Sequence, residues 1–216
     1  MTTAQNENLS RGIYDVIRQK LILGELQPGS PLSIRTMAEE FGVSAMPVRE
    51  ALRQLASEQA LIGAAKKAYR VPDLTPNAAA DLFFVRSVLE GAAAELAVRN
   101  MTEVDIRGLE RLAGETSAAW AAGDAQAYIS SNFTFHSAIN ARAGNDDLLM
   151  MIDALYARTG PWLAQGVVDL IQVDKIEDGH GKIVRALASG DAKEVRRLVE
   201  EDAQWAINLF LNKRTS

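Results

Sequence analysis

A proline stands in the stretch "GVSAMPVREAL", residues 42–52, which otherwise has the composition of a helix. Proline lacks the backbone N–H that a helix interior needs, so it fits only in the first turn, where that group has no partner inside the helix. Ser44, three residues earlier, is a suitable N-cap. We therefore predict that a helix begins just after Ser44 and that Pro47 fixes its start.

Two further helical patterns precede this one. Residues 10–24 carry apolar side chains at helical spacing, with Ser10 as the predicted N-cap and Gly24 as the end. Ser33 is predicted to cap a second helix, which Gly42 ends. Three helices with a tight turn between the second and the third have the order of a helix-turn-helix.

A small hairpin is predicted after the third helix. The apolar pieces "ALIGA" and "AYRVPDL" flank Lys66 and Lys67, and the whole pattern is that of a winged helix-turn-helix. Ser44 and Pro47 would hold the open helix end against DNA, Arg49 would reach a base edge or a phosphate, and the two lysines would contact phosphates. The alternatives are a helical capping subdomain with a chance proline, and two ordinary surface lysines.

Charge and composition restrict the class of protein. The net charge is -5, but residues 1–75 carry 9 Lys+Arg against 8 Asp+Glu, and the rest 14 against 20, so a DNA-binding patch would be local. The absence of cysteine excludes disulfides, thiolate catalysis and cysteine-ligated zinc. No run approaches the roughly 18 apolar residues of a membrane span, and the N-terminus lacks a secretory pattern. We expect a cytoplasmic protein.

From residue 76 onward the pattern is helical throughout. One predicted stripe, broken by Arg86, consists of Leu82, Val85, Leu89, Ala92 and Leu96. In "AAGDAQ" and "ASGDAK" a glycine can end one helix and an aspartate can cap the next. We predict a mainly α fold, with the winged helix-turn-helix followed by an antiparallel bundle of about six helices. Rossmann, P-loop and nucleophile-elbow patterns are absent from the sequence.

Several polar residues lie on predicted core faces of this bundle. Both histidines of the chain, an amide and a carboxylate take positions where apolar side chains are expected, and a buried carboxylate is costly unless it is paired or metal-bound. Together they would suit Zn, Ni, Mn or Fe. The candidate ligands are Asn132, His136, His180 and Asp202. The alternatives are hydrogen-bonded structural histidines, and an Asp202–Arg86 pair without metal.

The segment "TMAEEFGVSAMPVREALRQLASEQAL" resembles the DNA-binding segment of the GntR family of bacterial transcription regulators. The remaining chain is similar in length and pattern to FCD, the all-helical ligand-binding domain of the family's FadR-like branch. The resemblance implies DNA contacts from Arg35, from Ser44 to Met46, and from Arg49. Two departures are Ala45, where many members have arginine, and the missing glycine before the second strand of the wing.

The resemblance also bears on the polar cluster. "NFTFH" and "GHGKIVRALASGD" are similar to the metal-binding segments of FCD domains and place His136 and His180 directly, while Asn132 replaces an aspartate and Asp202 a histidine. In the family the metal and a nearby arginine hold a small carboxylate effector. The resemblance therefore implies Arg86, and less directly Arg158, as effector-binding residues.

The sequence therefore predicts a DNA-binding domain at residues 1–73 and an effector-binding and dimerisation domain at residues 76–216. The predicted function is that of a ligand-responsive transcription regulator that binds a two-fold-related operator as a homodimer. One alternative is a metal sensor without an organic effector. The other is an all-α metalloenzyme, against which stand the missing HExxH pair and the N-terminal module. We predict that the chain is not an enzyme.

Overall fold

The computed structural model describes residues 3–64, 68–172 and 179–213. Its first elements are three helices and three short strands. In chain order they are α1 (Thr3–Ile22), β1 (Pro31–Ser33), α2 (Ile34–Phe41), α3 (Ala45–Ser57), β2 (Ile62–Ala64) and β3 (Ala68–Arg70). The three helices pack through Ile17 and Leu21 of α1 and Val48, Leu52 and Leu55 of α3, all fully buried. This arrangement confirms the predicted winged helix-turn-helix.

The start of α1 was predicted wrongly. Ser10 lies inside the helix, which begins at Thr3. The preceding residues contain no proline or glycine to stop a helix, so it extends beyond the apolar stripe toward the N-terminus.

The ends of α2 agree with the prediction, and the start of α3 agrees in part. The Thr36 N–H donates to Ser33 Oγ over 3.5 Å, and Gly42 ends α2 in the left-handed conformation, with φ at 65°. Ser44 takes the N-cap position of α3, but its side chain accepts no capping hydrogen bond. Pro47 lies in the first turn, where it was predicted, and is buried.

The three strands form one antiparallel sheet in the order β1-β3-β2. Tyr69 of β3 lies opposite Leu32 of β1 on one side and opposite Gly63 of β2 on the other. The hairpin of β2 and β3 was predicted, but β1 was not, because three residues are too few to show the alternation of a strand.

Six α-helices follow in the described residues from 76 onward. They are α4 (Pro76–Ala97), α5 (Glu103–Ala121), α6 (Ala125–Asn140), α7 (Asp146–Leu170), α8 (Gly179–Ser189) and α9 (Ala192–Lys213), and a 3-10 turn (Val98–Asn100) extends α4. The predicted stops and caps are present. Gly123 and Gly190 have φ values of 70° and 76°, Asp124 accepts from the Ala127 N–H, and Asp191 accepts from that of Glu194.

The core of the bundle is built from small and branched side chains. Ala94, Leu109, Phe135, Ile183 and Val199 are among the residues packed together there. At the start of α5, Thr102 and Asp105 form a capping box, in which each side chain accepts from the other's backbone N–H.

The predicted stripe of α4 is wrong. Phe83, Arg86 and Glu90 face the core, whereas Val85 of the predicted stripe is 46% exposed. Apolar residues occupy both sides of this helix, so the sequence spacing alone did not identify the buried side.

Contacts divide the chain into two compact units. The first consists of Met1–Leu74 with Tyr156–Leu163, and the second of Thr75–Leu155 with Ala164–Ser216. The short stretch of α7 that groups with the first unit was not foreseen from the sequence.

Candidate functional site

The first candidate surface lies at the N-terminal end of α3. Arg49 is exposed there, and in the part of the chain that the structure describes no acidic side chain pairs with it. Arg53, one turn later, is held by Glu50, which accepts from its Nε at 3.1 Å and its Nη2 at 2.9 Å. Arg49 is therefore the α3 arginine available to an external partner.

Other predicted contact residues surround Arg49. Arg35, Ala45 and Arg49 line one shallow pocket of about 580 Å³. Arg35 is 88% exposed and lies 3.8 Å from Glu39, which is a weak surface contact. Met46 is exposed on the neighbouring side of α3. These side chains form a cationic surface with apolar patches.

Three of the predicted DNA-binding residues are not part of this exposed surface as the structure describes it. Pro47 is buried, so it fixes the start of α3 and does not offer its side chain to a partner. Lys66 and Lys67 lie outside the described residues.

The second candidate site is a cluster in the bundle, in which Asn132, His136 and His180 are buried and the Asp202 side chain is 23% exposed. Nε2 of His136 on α6 lies 3.2 Å from Oδ2 of Asp202 on α9, and Nε2 of His180 on α8 lies 4.0 Å from the same oxygen. Asn132 Oδ1 lies 3.0 Å from His180 Nε2. The structure thus brings together all four predicted metal ligands.

Local packing places these groups. Asn132 and His136 are four residues apart on α6, and the Phe135 ring contacts both imidazoles, with centroids 5.3 Å from His136 and 4.6 Å from His180. Gly179 begins α8 directly beside Asp202: a Cβ there would lie 2.9 Å from Asp202 Oδ1. The carboxylate therefore fits against the start of α8 because residue 179 has no side chain.

The cluster is electrostatically coupled. Burial alone would lower the pKa of His136, but the hydrogen bond and the charge of Asp202 outweigh burial and raise it. Burial alone would raise the pKa of Asp202, but the two imidazoles outweigh burial and lower it. The cluster therefore favours the negative form of the Asp202 carboxylate and extends the protonated form of His136 to higher pH than in free imidazole.

A buried ion pair lies close to this cluster. Arg86 Nε donates to Glu90 Oε2 over 3.1 Å, and the two side chains are 6% and 2% exposed. The guanidinium carbon lies 4.4 Å from the centre of the Phe83 ring, and Asn140 Nδ2 donates to Glu90 Oε1 over 3.4 Å. Arg86 therefore pairs with Glu90, and Asp202 lies next to His136, instead of the two pairing with each other.

Three residues near the site were missed by sequence reasoning. Glu90 and Asn140 complete the Arg86 network, and Tyr128 has its pKa raised by burial and by the charge of Asp202. Tyr128 stands four residues before Asn132 on α6, so the i, i+4 spacing was the available signal. Arg158 lies in the stretch of α7 that groups with the first unit, apart from the unit that holds the cluster.

The donor set fits a divalent metal. Tetrahedral bonds of about 2.0–2.2 Å place neighbouring ligand atoms about 3.3–3.6 Å apart. The separations here are 3.0, 3.2 and 4.0 Å, and the donor atoms of His136, His180 and Asp202 all lie within 4.8 Å of one another, so one ion could be held after small side-chain adjustments. Two imidazoles, one carboxylate and one amide oxygen are suited to Zn, Ni, Mn or Fe.

Each of the two parts of the chain matches a known protein family. Residues 9–71 match the family described as bacterial regulatory proteins, gntR family, and residues 81–204 match the FCD domain. The chain is 32% identical over 206 residues to the HTH-type transcriptional regulator McbR of Escherichia coli, covering 94% of this chain and 93% of that protein. Among the described residues, none of the helices is long and apolar enough to span a membrane.

Two further comparisons concern sequence and fold. A probable D-xylose utilization operon transcriptional repressor of Paenarthrobacter nicotinovorans is 31% identical over 181 residues, covering 83% of this chain and 78% of that protein. The structure of E. coli McbR/YncC superposes with a TM-score of 0.84 at 29% identity and covers 95% of this chain and 98% of that one.

A putative regulator from Rhodococcus sp. RHA1 shares the fold, with a TM-score of 0.74 at 17% identity, covering 94% of this chain and 97% of that one. The matched domains and relatives are transcription regulators, which excludes the metalloenzyme alternative. The chain belongs to the GntR family of bacterial transcription regulators and carries the family's DNA-binding domain followed by an FCD domain.

Proposed function

We propose that this regulator binds a two-fold-related DNA operator as a homodimer and that a small carboxylate, held by a divalent metal in the bundle, changes its affinity for DNA. Residues 1–73 would form the DNA-binding domain and residues 76–216 the effector-binding and dimerisation domain. The observation that carries this proposal is the four-residue cluster of Asn132, His136, His180 and Asp202, buried in a domain attached to a DNA-binding module. Such a regulator acts in the cytoplasm.

The DNA-binding role is assigned to the surface around Arg49. Its guanidinium can form a bidentate bond with guanine or contact a phosphate. Arg35 and Ala45 line the same pocket, and Ser44 and Met46 are exposed at the start of α3. Lys66 and Lys67 are proposed to contact phosphates from the wing. Pro47 supports these contacts by holding the start of α3.

Loss of Arg49 tests this assignment. Arg49→Ala should weaken binding to a selected operator about 5- to 150-fold per half-site, the factor for one bidentate base contact of about 1–3 kcal/mol. The measurement is fluorescence anisotropy with a labelled duplex. Arg107→Ala, which removes the same charge from exposed α5, is the matched control and should leave affinity nearly unchanged. Equal losses in both variants would contradict the assignment.

The homodimer is supported by an uncovered apolar face. Phe84, Val85 and Val88 lie together on the outer side of α4 and are 61%, 46% and 37% exposed. A soluble monomer rarely keeps such a patch in water. Phe84→Asp should therefore shift sedimentation toward the monomer, whereas Val104→Asp, at an exposed apolar position on α5, should not. Unchanged sedimentation of Phe84→Asp would place the interface elsewhere.

The metal is assigned to His136, His180 and Asp202, with Asn132 as a fourth donor. When bound, the ion would supply a positive charge and open positions for a carboxylate. Arg86 would offer guanidinium donors to the same effector while Glu90 keeps it oriented. Arg158 is the second arginine that we propose for effector binding.

Thermal unfolding against a panel of small carboxylic and sugar acids tests this half of the proposal. We expect one acid to raise the melting temperature of metal-loaded protein and to lose that effect after chelation. Asp202→Asn should abolish the rise, while Glu201→Gln, the same acid-to-amide change on the exposed side of α9, should retain it. A rise with metal alone and no acid effect would favour the metal sensor. No shift with metal or acid would contradict the site.

A further inference from the structure

The first turn of α3 presents apolar side chains where a helix-turn-helix meets the edges of base pairs. Ala45 is the first residue of the helix and is exposed, and Met46 follows it with 55% of its surface exposed. These two residues offer a partner van der Waals contact and no hydrogen bond.

The arrangement around Ala45 is specific. Ala45 and Arg49 line the same shallow pocket, and Arg35 borders it from α2. The pocket wall also includes Val43 and Ala68, which are apolar. Apolar side chains and two arginines therefore line one pocket, in which Glu39 accompanies Arg35, and Met46 is exposed outside it. A partner that presents an apolar group next to hydrogen-bond acceptors would match Ala45 and Arg49.

The major groove offers one such combination. Guanine presents the acceptors N7 and O6, which suit arginine, and thymine presents a 5-methyl group, the one apolar substituent on any major-groove base edge. We propose that Ala45 and Met46 contact the 5-methyl group of a thymine in each operator half-site, close to the base pair that Arg49 contacts. This inference rests on the proposed DNA-binding function and names the base that the first turn of α3 selects.

The spacing of side chains along α3 gives the distance between this thymine and the base pair that Arg49 contacts. Side chains four residues apart, such as Ala45 and Arg49, are about 5–6 Å apart on a helix surface. Base pairs of B-DNA are spaced about 3.4 Å along each strand. The thymine therefore lies one or two base pairs from the guanine that Arg49 contacts.

The experiment begins with the full-length protein and a random-sequence duplex library. The duplex selected by the protein is then resynthesised with each thymine replaced singly by deoxyuridine, which removes only the 5-methyl group. We expect one position per half-site, one or two base pairs from a G·C pair, where this replacement weakens binding about fourfold, the factor for about 0.8 kcal/mol from one buried methyl group. Thymines outside the half-sites serve as matched controls and should show no effect.

The protein side is tested with the double variant A45G/M46A. Its deoxyuridine penalty should fall below twofold at that position, while its overall fold is checked by circular dichroism. The scan with wild-type protein decides the question even if this variant does not fold. A scan with no sensitive position, on a duplex whose binding still depends on Arg49, would overturn the inference and leave the proposed function standing.

Two further results would also contradict it. A penalty that persists undiminished in the folded double variant would assign the thymine contact to other residues. Failure of the library to yield any enriched sequence would contradict the proposed function itself, and the inference with it.

Discussion

The buried pair of Arg86 and Glu90 allows a quantitative test of the bundle. Its side chains are 6% and 2% exposed and joined at 3.1 Å, so neither charge is solvated if its partner is removed. Glu90→Gln keeps the shape of the side chain and removes the negative charge that Glu90 places beside the buried guanidinium. Breaking a buried pair in this way costs about 3–5 kcal/mol.

The cost should be visible in thermal unfolding. At about 2–4 °C per kcal/mol for a chain of this size, the melting temperature should fall by roughly 6–20 °C. Glu95→Gln on the same helix is the matched control, because Glu95 pairs with Arg196 at 3.1 Å but is 38% exposed. A surface pair of this kind contributes at most about 1 kcal/mol.

A double variant separates the charge from the packing. Arg86→Met with Glu90→Leu removes both charges and keeps apolar volume, so it should recover much of the stability lost in Glu90→Gln. If Glu90→Gln melts within the range of Glu95→Gln, the Arg86–Glu90 pair contributes no more than a surface pair, and the cost assigned to its burial is wrong. If the double variant is less stable than the single one, Arg86 stabilises the fold through its stacking on Phe83 more than its charge costs.

Three smaller predictions follow from the same structure. Gly179→Ala should lower metal affinity, because the new Cβ would lie too close to Asp202 Oδ1. Competition with a chromogenic chelator measures the affinity. An unchanged affinity would contradict the placement of Asp202 against the start of α8. In metal-free protein, the raised pKa of His136 stabilises the fold below the unfolded value of about 6.5, and the lowered pKa of Asp202 stabilises it above about 3.9. The stability lost in Asp202→Asn should therefore be greatest between about pH 4 and 6.5 and should shrink on either side. A loss that does not vary with pH would exclude the ion pair. Asp124→Ala should cost about 1 kcal/mol in urea unfolding through loss of the cap on the Ala127 N–H, and no loss would mean that water replaces it.

The sequence was sufficient where the determinants are local. Gly42, Thr102 and Asp124 each stop or cap a helix through groups within three or four residues, so their roles could be predicted from spacing. The helix face that carries two of the proposed metal ligands could also be predicted, because Asn132 and His136 are one turn apart on α6.

Other features depend on partners far away in the chain. Glu90 was not singled out because its acceptor role is satisfied by Arg86 and by Asn140, fifty residues later. The buried side of α4 could not be chosen, since Phe83 faces the core while Phe84 is 61% exposed, and adjacent phenylalanines look alike in sequence. Similarly, β1 forms by pairing with β3, as Leu32 does with Tyr69, and this partner lies far along the chain.

The most direct test of the account joins its two halves in one measurement. The operator affinity of wild-type protein and of His180→Ala would be measured by anisotropy, with metal present, with and without the acid that raises the melting temperature. The account predicts a change of about 5- to 150-fold in the wild type, the usual range of allosteric coupling, and none in His180→Ala, which should still bind the operator. An equal response in both proteins would contradict the claim that the cluster around His180 receives the effector.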